Sequence, residues 1–289
     1  MRGSSSAPTS RVLDVVELLS QPGGRPMRFS DIVRELELTQ ATAHSILKTL
    51  SDRGWITRDP MTKTFTLGPE ISLLAARVDV ARPLTQLARD ATRRLVETTA
   101  MAASVVEKAG EHLVITAFAL PEGSDTPTPN ERIPYSPPFG VAFAAWDDET
   151  SQAAWVARGA ADDAALAERL NDVLAHTRAR GYDVDWMTPA LAQAAHAIGA
   201  LSGDAVPHNL RTVIDQLRVE FTSAVALSGA SGRDKRPVAT ISAPVIDTGG
   251  GIRLVLAIHP LRTMTARAVD AAASSLLCEV GSLGRDSRH

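Results

Sequence analysis

The chain has 289 residues, enough for two domains with separate cores. Its net charge of −3 argues against indiscriminate nucleic-acid binding, and a single cysteine, Cys278, excludes an internal disulfide and any cysteine-based zinc cluster. No apolar run approaches the ~20 residues of a membrane span, and Met1–Ser10 lacks a signal-peptide core, so a cytoplasmic, membrane-free protein is expected.

Residues 1–9 are Ser-rich and read as a disordered N-terminus. Ser10–Ser20 has the spacing of a first helix, with Val12, Leu13, Val16 and Leu19 expected inward. After a Pro/Gly loop, Phe29–Leu36 reads as a shorter helix capped by Ser30, and Glu37–Leu38 is a link of helix-turn-helix length. In the next helix Ala43, Ile46, Leu47 and Leu50 form one apolar face. The opposite face carries Gln40, Ala41, His44, Ser45 and Lys48, with Thr39 as N-cap and Gly54 just past the end.

Trp55–Arg58 and Thr64–Leu67 have strand composition and flank Asp59–Lys63, a turn with a proline and a basic tip. Helix, turn, helix and hairpin in that order make a winged helix-turn-helix. A recognition face that is short, polar and free of acids suits the major groove. Residues 1–80 carry ten basic side chains against nine acidic ones. So small an excess leaves few phosphate contacts per copy, and affinity must then come from two or more copies.

Glu70–Val78 and a helix from Arg82-Pro83 to Thr98 follow, the second with Leu84, Leu87, Ala91 and Leu95 on one stripe. Ala102–Glu107 and His112–Phe118 read as paired strands, Pro121–Asn130 as a loop, and Ile133–Gly140 as the entry to a helix through Trp146. Asp147-Asp148-Glu149 and Asp162-Asp163 stand where acids begin helices. Leu166–Arg180 is amphipathic and ends at Gly181, before an extended Tyr182–Asp185. Within 189–236 two helical patterns follow, and Ser228–Lys235 reads as a flexible polar loop. Val238–Val245 and Ile252–Ile258 form a hairpin around Asp247–Gly251, and Thr265–Leu283 closes the chain with Val269, Ala272, Leu276 and Val280 inward and Cys278 expected in the core.

The triple glycine Gly249–Gly251 lacks the ending of a phosphate loop and lies between strands, so it reads as a turn. His176, His196, His208 and His259 have no metal-ligand spacing, and no nucleophile elbow or paired-carboxylate motif occurs. No metal, no cofactor and no enzymatic activity are expected.

Ser30–Val33, Leu38–Leu50, Arg53–Pro60 and Phe65–Gly68 together resemble the N-terminal domain of IclR-type bacterial transcriptional regulators, with a weaker likeness onward to the C-terminus. The resemblance implies an α+β chain: a winged helix-turn-helix over 10–80, a linker helix over 81–98, and a GAF-like α/β effector-binding and oligomerisation domain over 99–289. The stretch 189–236 departs from the family and reads as a helical insertion that covers the pocket or adds an interface. By this likeness a homodimer or tetramer binds a double-stranded DNA operator through Ser30, Thr39, Gln40, Thr42, His44, Ser45 and Lys48, with Arg58 and Lys63 on the wing.

Gln40 stands where the family often has arginine or serine and Ser45 where it often has arginine, which leaves the operator sequence open. The effector would lie against Tyr135, Phe139, Gly140 and Val141 and against Thr240, Ala257 and His259. Val141 replaces a frequent lysine, and of the last three only Thr240 keeps a hydroxyl. The pocket so implied is more apolar and aromatic, suited to a small organic or aromatic acid. The alternative is a second domain that only oligomerises and binds no ligand.

Overall fold

The computed structural model describes residues 6–21, 25–124, 132–160, 162–186, 235–247 and 249–286. The expected insertion thus lies outside the described residues, apart from Lys235 and Arg236. The chain divides into two compact units, Met1–Pro83 and Leu84–His289.

In the first unit, α1 (Ala7–Leu19) starts earlier than expected, because Pro8 fits a first turn that needs no N–H partner. Val15, not Leu13, faces the core. Leu13 is 56% exposed, since the row that ends at Leu19 passes one helical turn back through Val15. A two-residue strand, β1 (Met27–Arg28), precedes α2 (Phe29–Glu35). The cap of α2 is Arg28 rather than Ser30, and its backbone N–H donates to the Asp31 carboxylate at 3.4 Å. A tight turn, with Glu37 at φ 49°, leads to α3 (Gln40–Asp52). Then come β2 (Ile56–Arg58), β3 (Thr64–Leu67) and α4 (Pro69–Ala81).

The three strands form one antiparallel sheet in the order β1-β3-β2, so β1 extends the wing. Val15, Leu19, Ile32, Ile46, Leu47, Leu50, Ile56 and Phe65 make a single core beneath it. The wing is also tied to the start of α4. Gly68 donates its N–H to the Trp55 carbonyl at 2.7 Å, and a Cβ at Gly68 would stand 2.2 Å from the Gly54 oxygen, so only glycine fits.

The second unit begins with α5 (Pro83–Thr99), whose last residues lead into β4 (Ala102–Ala109) and β5 (His112–Ala119). Next are β6 (Arg132–Pro134), α6 (Val141–Ala144), α7 (Glu149–Ala160), α8 (Ala164–Arg180) and β7 (Asp183–Trp186). The chain closes with β8 (Lys235–Ile246), β9 (Ile252–His259), β10 (Arg262–Thr265) and α9 (Ala266–Asp286). The sheet is antiparallel in the order β10-β8-β9-β4-β5-β6, with β7 paired to β8.

Alternation along β9 assigns the two faces. Leu254, Leu256 and Ile258 pack with α5 and α9, whereas Val255 packs with α6, α7 and α8. Arg94 and Glu279 join α5 to α9 at 2.7 Å on the outer side. Cys278 is exposed, contrary to the expected core thiol, because the inward row runs through Leu276 and position 278 points away from it. The helix after Gly140 stops at Ala144, short of Trp146. Asp147 is drawn off to Lys108 and the Tyr135 hydroxyl, both at 2.7 Å, and Asp148 then accepts the Ser151 N–H to start α7.

Among the described residues no helix is long and apolar enough to cross a membrane.

Candidate functional site

Two regions concentrate exposed or unusual polar groups, one in each unit. In the first, α3 is held from within by its apolar row and at its start by Thr39, whose Oγ1 accepts the Thr42 N–H at 3.2 Å. The Thr39 and Thr42 hydroxyls also meet at 2.8 Å, so both residues serve the cap as well as the surface. Gln40, His44, Ser45 and Lys48 are exposed on one face. Lys48 pairs with Asp52 on the next turn, and both are more than half exposed, so the pair is weak and the ammonium can exchange it for another anion. Ser30 is exposed in the first turn of α2.

On the wing, Arg58 lies over the Phe65 ring at 5.7 Å, and Lys63 takes φ 57° at the end of the turn. Asp59 shapes that turn, with its carboxylate accepting from the N–H groups of Met61 and Thr62 at 2.7 and 3.2 Å. Those bonds hold its carboxyl below the usual carboxylate range.

In the second unit the expected effector residues fall into two groups on the same side of the sheet. Tyr135, Phe139, Gly140 and Val141 belong to the core under α6–α8. Tyr135 is buried, has the Lys108 ammonium at 4.1 Å and the Arg158 guanidinium at 5.4 Å from its ring centre, and donates to Asp147. Burial and the Asp147 contact push its hydroxyl pKa upward, so it stays a donor. Gly140, at φ 83°, abuts the Tyr135 ring so closely that a Cβ would stand 2.7 Å from it. Phe139 accepts the Trp155 indole N–H through its carbonyl at 3.0 Å.

The other group is polar and spans three strands. His259 on β9 bonds through Nε2 to Ser104 Oγ at 2.9 Å on β4, and through Nδ1 to Thr240 Oγ1 at 3.3 Å on β8. The Phe118 ring stands 5.7 Å from the imidazole. Asp185 faces Thr240 across the β7–β8 register. Burial drives the Asp185 carboxyl well above its ordinary range and the nearby Asp183 adds to this, while burial lowers His259 to about 4.

Both titratable groups are thus shifted toward their uncharged forms, in a set of hydrogen-bonding groups around an aromatic ring. Ser104 and His259 do not make an activated nucleophile, since Ser104 is fully buried and a hydroxyl, not a carboxylate, orients the ring from Nδ1. Ala257 is buried beside them. Sequence reading misses Ser104 and Phe118, which become neighbours of His259, and Asp185, which comes to face Thr240, only once the strand register is known. Among the described residues, no group of three His, Cys, Asp or Glu side chains could hold a metal ion.

The family model of the IclR helix-turn-helix domain matches residues 8–60, the segment that runs from α1 through α3 into the wing. Residues 8–60 of the N-terminal unit are thus similar to an IclR helix-turn-helix domain. The full chain carries the fold of IclR regulators as well. An IclR transcriptional regulator from Alicyclobacillus acidocaldarius superposes with a TM-score of 0.66 at 19% identity, over 98% of this chain and 100% of that one. An IclR homologue from Microbacterium hydrocarbonoxydans, solved with 4-hydroxybenzoate, gives 0.64 at 17% over 98% and 99%. The IclR of Thermotoga maritima gives 0.58 at 14% over 97% and 98%. No curated protein sequence matches the chain.

Proposed function

We propose that this IclR-type protein is a ligand-responsive transcriptional regulator. Its α3 helices, paired in a homo-oligomer, read a pseudo-palindromic operator. The observation that carries this reading is α3 itself: a capped helix with an acid-free outward face from Gln40 to Lys48, fixed from within by Ala43, Ile46, Leu47 and Leu50. Gln40 and Lys48 have the reach for base edges, adenine for the first and guanine or phosphate for the second. Ser30, Thr39, Thr42, His44 and Ser45 complete the surface, and Arg58 and Lys63 meet the backbone from the wing. The near-neutral charge of the unit favours binding by paired copies.

The second unit would take a small aromatic or organic acid against Thr240, Ala257, His259 and the Tyr135–Val141 segment, with Asp185 and Ser104 as further hydrogen-bonding groups. The complex of the Microbacterium homologue with 4-hydroxybenzoate supports that ligand class. Binding shifts the population of arrangements of the paired DNA-binding units, and so the operator affinity.

Thermal unfolding with 4-hydroxybenzoate and related carboxylates tests this. A ligand at about one hundred times its Kd adds about 2.7 kcal/mol, and a matching rise in Tm and a change in operator affinity are expected. A panel without effect on either, with operator binding intact, would favour a second unit that only oligomerises.

A further inference from the structure

The wing tip carries a side chain that the proposed operator contacts do not use. Met61 is 88% exposed, the most exposed of the large hydrophobic residues among those described. A lone exposed apolar residue needs no explanation by its exposure alone. This one sits on a tip held by five hydrogen bonds. Asp59 accepts the Met61 and Thr62 N–H groups on its carboxylate and the Lys63 N–H on its carbonyl, at 2.7, 3.2 and 2.9 Å. Its own N–H donates to the Thr64 carbonyl at 2.9 Å, and the Thr62 and Thr64 hydroxyls meet at 2.7 Å. The methionine is thus presented at a fixed point, with Arg58 and Lys63 on the same hairpin.

An exposed unbranched thioether on a hairpin that also carries two cations is the chemistry of a minor-groove wedge. The cations follow the phosphates and the narrow groove's negative potential, while the apolar side chain enters a base step and partly unstacks it. The weak charge of the first unit fits this arrangement, since a bent duplex brings more protein surface into contact than a straight one would. Resting on the DNA-binding reading, we infer that Met61 inserts as an apolar wedge at a base step of the minor groove flanking each half-site and kinks the operator there.

The test uses the full-length protein and a duplex selected by it from a random library. 2-Aminopurine is placed in turn at each step flanking the half-site, and end-labelled dyes report the bend. The wild type is expected to raise 2-aminopurine fluorescence at one flanking step and to kink the duplex by roughly 20–90°. Met61→Leu should keep both signals, because leucine also serves as a wedge, whereas Met61→Ala should return the fluorescence to that of the free duplex and lose the kink. A Met61→Ala protein that binds the duplex with unchanged fluorescence and bend would overturn the wedge and leave operator recognition standing. A wild type that selects no sequence would overturn both.

Discussion

His259 is the residue in which burial, hydrogen bonding and titration meet. Its ring is held between Ser104 and Thr240, and burial lowers its pKa to about 4. In the unfolded chain the imidazole titrates near its ordinary value of 6.5. Between those values the unfolded state binds the extra proton, so the contribution of His259 is complete above about pH 6.5 and is lost as pH falls toward 4. The loss amounts to at most about 3 kcal/mol. Asp185, whose carboxyl is pushed upward, works in the opposite sense, so the His259 part must be isolated by comparison. Unfolding of the wild type and His259→Gln, measured at pH 7 and pH 5, should show the larger drop in Tm for the wild type. Equal drops would mean that the imidazole is hydrated and free to charge. The sequence marks His259 through its place in the final hairpin. Ser104, Phe118 and Asp185 are beyond reach there, because what makes them one site is the register of β4, β5, β7, β8 and β9, set by pairings distant in sequence.

At the scale of the element, α3 is the most legible part of the chain. Its apolar row, its N-cap Thr39 and the glycine after its end are local signals, and each recurs in the structure. Replacing Thr39 by alanine removes the acceptor for the Thr42 N–H and should cost about 1 kcal/mol, read as a shift in the denaturant midpoint at unchanged slope. A midpoint that does not move would mean that the Thr42 N–H finds water as good a partner. Signals that depend on distant partners are not legible. β1 is two residues long, too short to show a period, and exists because Met27 pairs with Phe65. β10 likewise exists through its register with Lys235–Val238. Ser30 is a good cap by residue type, yet the Asp31 carboxylate reaches back to Arg28 and starts α2 there. The apolar neighbours of Cys278 in sequence suggest a core thiol, although position 278 lies off the row that Leu276 defines.

At the scale of the molecule, the order of elements carries the fold: a winged helix-turn-helix, then a sheet with helices on both faces. That order is readable because the helical and strand periods alternate clearly along the chain. The link from fold to function runs through the outward face of α3, and one measurement addresses it directly. Binding of the full-length protein to a selected operator duplex, at fixed salt, should be compared with that of the His44→Ala/Lys48→Ala variant. Both side chains are exposed and outside the core, so helix content should not change. Specific affinity is expected to fall by roughly tenfold or more, consistent with about 1–3 kcal/mol for each base-edge interaction removed. The salt slope should fall by about one if Lys48 meets phosphate. Unchanged affinity and sequence preference in the variant would contradict the assignment of α3 as the helix that reads DNA.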